Sequence, residues 1–203
     1  PLGRSLGPVR LGDLVIDPPL FLAPMAGFTN IAFRRIARRL GCGMTATEMV
    51  MAEGIVREHP RTLELAKLCV EERPGAVQIA GGDPAVMGEA AARLVDQGAD
   101  VIDVNMGCPV RKIVDRCAGS ALLRDASLAA GVVEGIVRRV KVPVTVKVRA
   151  GWDDHRQCID VARALEAAGA AALSVHGRTR EQQYSGRCSP ATWTASSSRR
   201  SAT

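Results

Sequence analysis

Short apolar runs rich in Val, Ile and Ala alternate along the chain with longer segments in which apolar residues recur every three to four positions. The short runs are Leu20–Ala23, Met44–Glu48, Ala76–Ala80, Val101–Asn105, Val144–Val148 and Ala172–His176. Each reads as a strand. The longer segments read as helices. One starts from Thr29 or Asn30 as N-cap and runs to Leu40; the others span Pro84–Gln97, Leu128–Arg139 and His155–Ala168. Asp83 stands where an N-cap belongs, and Gly41, Gly98 and Gly169 stand where helices stop. Strands of about five residues that are apolar throughout are buried on both faces, which predicts a parallel sheet covered by helices.

Two architectures share that alternation, an open doubly wound sheet and a closed (β/α)8 barrel. The open dinucleotide-binding sheet should carry G-x-G-x-x-G after its first strand. Here Pro24-Met25-Ala26-Gly27 follows, and no such glycine run occurs. The strands end instead in polar or reactive residues: Glu48, Gln78, Asn105 with Cys108, Lys147 and His176. A barrel gathers those ends on one face. The fold class expected is therefore α/β, a (β/α)8 TIM-type barrel, incomplete because six strands are legible. Residues 1–186 form the partial barrel in this reading. Beyond Gly186 the pattern stops, and residues 187–203, rich in Ser, Thr and Arg, read as an unrelated, disordered tail. A frameshift near Arg187 would account for that change. A six-stranded wall would leave its first and sixth strands as unpaired edges, so association or aggregation is expected of the chain as written.

The length of 203 residues suits one core, and 47 % hydrophobic residues suffice to build it. Aromatics are only 3 %, so the core rests on Ala, Val, Leu and Ile. The net charge of +6 favours an anionic partner such as nucleic acid without identifying one. None of the six cysteines has C-x-x-C spacing, no second metal ligand stands at a sensible distance from Cys108, and no run is long enough to span a membrane. The expectation is a cytoplasmic protein with reduced thiols, no membrane association and no metal.

Cys108 lies between Gly107 and Pro109, just past the Val101–Asn105 strand. A free cysteine is most often a small buried hydrophobe. A loop over a barrel mouth favours a functional thiol instead. A nucleophile wants a lowered pKa, whereas an acid stays protonated at neutral pH, the ordinary state of a free thiol (~8.5). The residues alone leave both roles open. Lys147, flanked by valines, is costly to bury unless it meets an anion, the alternative being a stem that carries its head to the rim. His176 precedes Gly177 and Arg178, which points to a polar cluster rather than a core histidine. Gln78 is a buried amide in need of partners, which a flat hydrogen-bonding ring would supply. The basic run Arg34–Arg39 reads as a solvated face. Arg111 and Lys112 follow Cys108 closely enough to meet a substrate phosphate.

The segments A-P-M-A-G-F-T-N, T-E-M, V-Q-I-A-G, D-V-N-M-G-C-P-V-R-K, A-G-S-A-L-L, V-T-V-K-V-R-x-G-W and V-H-G-R-T-R, in order from about Leu14 to Gly186, resemble the tRNA-dihydrouridine synthases, most nearly the bacterial B-type. That resemblance implies an FMN-containing (β/α)8 barrel that reduces uridine in tRNA to 5,6-dihydrouridine, with NADPH restoring the flavin. It implies that Pro24, Met25 and Ala26 line the flavin, that Gln78 and Lys147 bond its ring edge, and that His176 lies beside it. Asn105 and Arg178 would hold the uracil, and Cys108 would be the proton donor. The N-G-D-I and G-R segments with which the family grips the FMN phosphate are absent from this sequence, as is its helical tRNA-binding domain. Two other readings are another FMN-barrel oxidoreductase, which N-M-G-C-P argues against, and an inactive frameshifted fragment.

Overall fold

The computed structural model describes residues 7–188. An antiparallel hairpin comes first, β1 (Val9–Leu11) with β2 (Leu14–Ile16). Then follow β3 (Phe21–Leu22), α1 (Ile31–Arg39), β4 (Met44–Ala46), β5 (Val50–Met51), α2 (Ala52–Val56) and α3 (Pro60–Ala66). The chain continues through β6 (Gly75–Ala80), α4 (Pro84–Asp96), β7 (Val101–Met106) and α5 (Arg111–Val114). It ends in α6 (Ala126–Val137), β8 (Val144–Arg149), α7 (Gln157–Ala167) and β9 (Ala172–His176). Short 3-10 turns cover Val70–Glu72 and Gly119–Arg124. Of the tail expected over 187–203, residues 189–203 lie outside the described residues.

The main sheet runs β3-β4-β6-β7-β8-β9, every neighbour parallel, and β5 prolongs β4 along β6. Strand order follows chain order without reversal. A doubly wound sheet reverses at its switch point, whereas a barrel wall never does. Six consecutive staves of a (β/α)8 wall are therefore present. The legible caps work as expected. Asn30 accepts from Phe33 N–H at 3.1 Å, and Asp83 from Ala85 and Val86 at 2.8 and 3.1 Å. A further cap, not singled out from the sequence, is Asp125, which accepts from Leu128 N–H at 3.0 Å.

The strands have two unlike faces. Val77, Ile79, Ile102, Val104, Met106, Val144, Val146 and Val148 point outward and pack with Met87, Leu94, Val132, Val133, Ile136, Val161 and Leu165 of the helices. The inward face is apolar only at the bottom. There Leu11 and Ile16 of the hairpin plug the barrel against Met44, Ala46, Ala76 and Val101. Higher up, the inward positions are polar. This departs from the expectation of two apolar faces: the upper interior of the barrel holds the site rather than core.

Three further differences have physical causes. The strand expected over Met44–Glu48 breaks after Ala46. Three residues, Thr47–Met49, stand opposite two, Val77 and Gln78, between the pairs Ala46↔Ala76 and Val50↔Ile79. One extra residue is a bulge, and it re-aims the side chains it carries. Glu48 accepts from Gly27 N–H, and Thr47 Oγ1 accepts from Gln78 N–H at 3.1 Å. The helix expected from His155 begins at Gln157. The basic run is not a solvated face throughout: Arg34 is 1 % exposed and ion-paired with the fully buried Glu72, and it donates to Thr29 O and Lys67 O. Arg38 donates to the carbonyls of Cys42, Gly43 and Arg73. Orphan carbonyls around the first helix need donors, and an arginine has five to give.

Candidate functional site

The inward polar residues form rows across neighbouring strands. Gln78, Asp103 and Thr145 are paired in register across β6, β7 and β8. One layer higher, Asn105 pairs with Lys147 and Ser174. Above them Arg149 pairs with His176. The two-residue period of a strand places Asp103 with Asn105, and Thr145 with Lys147 and Arg149, on one face.

Of these rows Gln78, Asn105, Lys147, Arg149 and His176 line a cleft of about 740 Å³ at the carboxyl ends of the strands. Its walls come from Pro24, Met25, Ala26 and Phe28 after β3 and Met49 in the bulge. The Gly107–Val110 loop, Arg111, His176 and the Arg180–Tyr184 turn complete it. Of the residues singled out from the sequence, Pro24, Met25, Ala26, Gln78, Asn105, Cys108, Arg111, Lys147 and His176 all line this cleft. Lys112 and Arg178 do not. Lys112 is exposed on α5. The Arg178 guanidinium donates to Gly186 O from Nε and Nη2, at 3.2 Å each, which draws it aside.

A continuous hydrogen-bond chain lies under the cleft. Thr145 Oγ1 donates to Asp103 Oδ1 at 2.6 Å, and Gln78 Nε2 donates to Asp103 Oδ2 at 2.6 Å. Asn105 Nδ2 donates to Gln78 Oε1 at 3.0 Å. Asn105 Oδ1 accepts the N–H groups of Gly107 and Cys108 at 3.1 and 2.9 Å. The partners that a buried amide at position 78 demands are thus protein groups, where a bound ring was expected to supply them. The Cys108 loop is held from two more sides. Arg149 Nε donates to Gly107 O at 2.8 Å, and Ser120 N–H donates to Cys108 O at 3.1 Å. The thiol therefore stands on a turn fixed at four backbone atoms.

Burial sets the charges here. It pushes the Asp103 carboxyl up to about 6, against the pull of Thr145, Gln78 and Lys147. It draws the Lys147 ammonium below its ordinary range; Asp103 opposes that shift and Arg149 adds to it. It lowers Arg149 as well. His176 is held below its usual value by burial first, then by Arg149, Lys147 and Arg178. Among the described residues Lys147 makes no salt bridge. A desolvated cation without a partner, beside Pro24, Met25, Ala26 and Met49, fits a flat ring with an electron-rich edge. Among the described residues no group of three or more metal-ligating side chains comes together, and no helix is long and apolar enough to cross a membrane.

A profile of the dihydrouridine synthase (Dus) family matches residues 21–197. The chain belongs to the dihydrouridine synthase family. It is 49 % identical over 179 residues to tRNA-dihydrouridine synthase B of Pseudomonas aeruginosa, covering 88 % of this chain and 54 % of that protein. It is 45 % identical over 185 residues to tRNA-dihydrouridine synthase B of Xanthomonas campestris pv. campestris, covering 91 % and 56 %. A probable tRNA-dihydrouridine synthase of Rickettsia bellii is 41 % identical over 180 residues. The chain spans about half the length of these curated relatives. Histamine dehydrogenase from Rhizobium sp. 4-9 superposes with a TM-score of 0.64 at 13 % identity, over 84 % of this chain and 36 % of that one. A 2-naphthoyl-CoA reductase superposes equally well at 14 % identity, over 86 % and 40 %. At those identities the two share the fold.

Sequence reasoning missed several residues in and beneath this cleft. Asp103, Thr145 and Arg149 lie two positions from residues it named, on the same strand face, and strict alternation would have found them. Tyr184 left no such signal. Its ring lies 5.5 Å from the Arg149 guanidinium carbon and meets His176 edge-on at 6.5 Å, contacts made only when β9 closes on β8.

Proposed function

We propose that this chain supplies the uridine- and flavin-binding half of a tRNA-dihydrouridine synthase, an FMN-dependent oxidoreductase that reduces C5=C6 of uridine in tRNA at the expense of NADPH. Residues 1–186 are its FMN-binding barrel portion in this reading. The observation that carries it is the thiol of Cys108 on a pinned turn above a floor of Gln78, Asn105 and Lys147. Family membership and the names of the relatives support the reaction class.

Pro24, Met25 and Ala26 would pack on the FMN ring, with Gln78, Lys147 and His176 along its edge. When bound and reduced by NADPH, the flavin supplies a hydride to C6 of the uracil. Carbon 5 then takes a proton, and Cys108 holds one over that face as general acid. Asn105 orients the uracil through its remaining N–H. Arg111 and Lys112, exposed beside the cleft, suit the phosphates of an RNA strand, and Arg178 would serve the same uridine from the rim. The uridine must leave its stack to reach this depth.

The test is Cys108→Ala in the full protein. Flavin binding and flavin reduction by NADPH should persist, and dihydrouridine formation on unmodified tRNA should fall at least about 100-fold, the usual worth of a positioned acid. Unchanged turnover would remove Cys108 from the reaction. A chain that binds no flavin in any form would instead favour the inactive fragment.

A further inference from the structure

We propose that Asp103 is a positioning residue for Cys108: as a group that only accepts hydrogen bonds, its carboxylate fixes, through Gln78, the direction in which the Asn105 amide grips the Cys108 loop. The inference rests on the reading of Cys108 as proton donor for its bearing on turnover, and on geometry alone for the positioning itself.

The argument is one of polarity. Gly107 and Cys108 present backbone N–H groups, which only donate, so Asn105 must turn Oδ1 toward them. Its Nδ2 then faces Gln78 and requires Oε1 there. That leaves Gln78 Nε2 facing Asp103, where only an acceptor fits. The two amides can take one orientation or the other, and both ends of the chain demand the same one. Thr145 completes the carboxylate by donating to its second oxygen. Gln78 is 1 % and Asp103 8 % exposed, so water is not at hand to replace a lost partner.

A proton on Asp103 removes that demand. The acid can donate to Gln78 Oε1, the Gln78 amide can turn over, and its Nε2 then faces Asn105. If Asn105 follows, its Nδ2 confronts two backbone N–H groups, and the turn that carries Cys108 loses the anchor on its two N–H groups. The charged and titratable surroundings of Asp103 are few. Gln78 faces it from β6, Thr145 and Lys147 from β8, and of these only Lys147 is charged. Burial already brings the carboxyl to about 6, close enough to neutrality for the change to matter.

The experiment follows alkylation of Cys108 by iodoacetamide, read on its own peptide by mass spectrometry, in the full chain without tRNA between about pH 5 and pH 8. A thiol on a fixed turn gives a rate whose logarithm follows one smooth line against pH. The wild type should show a break from that line near pH 6, where Asp103 titrates. Asp103→Asn should lose that break, because a carboxamide does not titrate in this range. Asp103→Leu should shift the rate at every pH by at least about threefold, having deleted the acceptor. If the leucine variant fails to fold, the wild-type and asparagine profiles decide alone. An unbroken wild-type line, or the same break in Asp103→Asn, overturns the proposal. A break in a protein that forms no dihydrouridine would leave the positioning intact and overturn the functional reading instead.

Discussion

Asn105 accepts the backbone N–H of Cys108 at 2.9 Å while its own nitrogen donates to Gln78 at 3.0 Å. One side chain thus ties the loop of the candidate acid to the floor of the cleft. Three strands contribute to that tie, and none of its members is adjacent in sequence to the residue it finally positions, except through Asn105.

Lys147 is a partly buried cation of the cleft, lowered by burial and without a salt bridge among the described residues. Lys147→Ala in the full protein should weaken FMN binding by roughly tenfold to a hundredfold, the worth of one charge-assisted hydrogen bond. Fluorescence titration of the flavin measures this directly. A variant that binds FMN as tightly as the wild type would place the Lys147 head in solvent.

Gly119 adopts φ +60, and a Cβ there would lie 2.9 Å from Cys108 O and 3.1 Å from Cys108 Cβ. Gly119→Ala should therefore strain the turn and displace the thiol. The expected result is a drop in dihydrouridine formation of about tenfold or more with a stability loss of only about 1–2 kcal/mol. Comparing kcat with urea unfolding separates the two; loss of stability without loss of kcat would show that the loop does not transmit the strain.

Asp103 gives a pH-dependent stability whose sign is fixed. Its folded pKa is raised from 3.8 to about 6, so its favourable contribution is fully present below 3.8 and is lost as pH rises through 6. At neutral pH the ionised group then costs up to about 3 kcal/mol. Asp103→Asn should be the more stable form at pH 7, with the gap closing as pH falls toward 4. His176 runs the opposite way, its contribution present above about 6.5 and lost as pH falls, but it is common to both proteins and cancels. Urea denaturation at several pH values tests this; a gap independent of pH would put the carboxyl in contact with solvent.

Arg34 and Glu72 form a buried ion pair, 1 % and 0 % exposed. Arg34→Ala leaves a carboxylate buried without its partner, together with the carbonyls of Thr29 and Lys67. The loss should reach about 3–5 kcal/mol, and replacing both residues, Arg34→Met with Glu72→Leu, should recover part of it. A single variant within about 0.5 kcal/mol of wild type in urea denaturation would mean that water reaches the pair.

The sequence by itself determined the β/α alternation, the barrel and nine residues of the cleft. The elements and the polar strand-end residues rest on local rules, and Pro24, Met25 and Ala26 rest on the resemblance to the family. Apolar runs and helix periods name the elements, Asn30 and Asp83 cap helices through their own neighbours, and polar residues at strand ends gather wherever parallel strands are laid side by side. What only the tertiary structure decided involves partners far apart in the chain. Arg34 reads as one basic residue among several until Glu72 is folded against it, and Met44–Glu48 reads as one strand until β6 supplies the register that exposes the extra residue. Asp103 reads as part of an apolar run. Its role appears once Gln78 and Thr145 stand on either side of it, because a hydrogen-bond chain across three strands is a property of register, and register is set by packing rather than by any one segment.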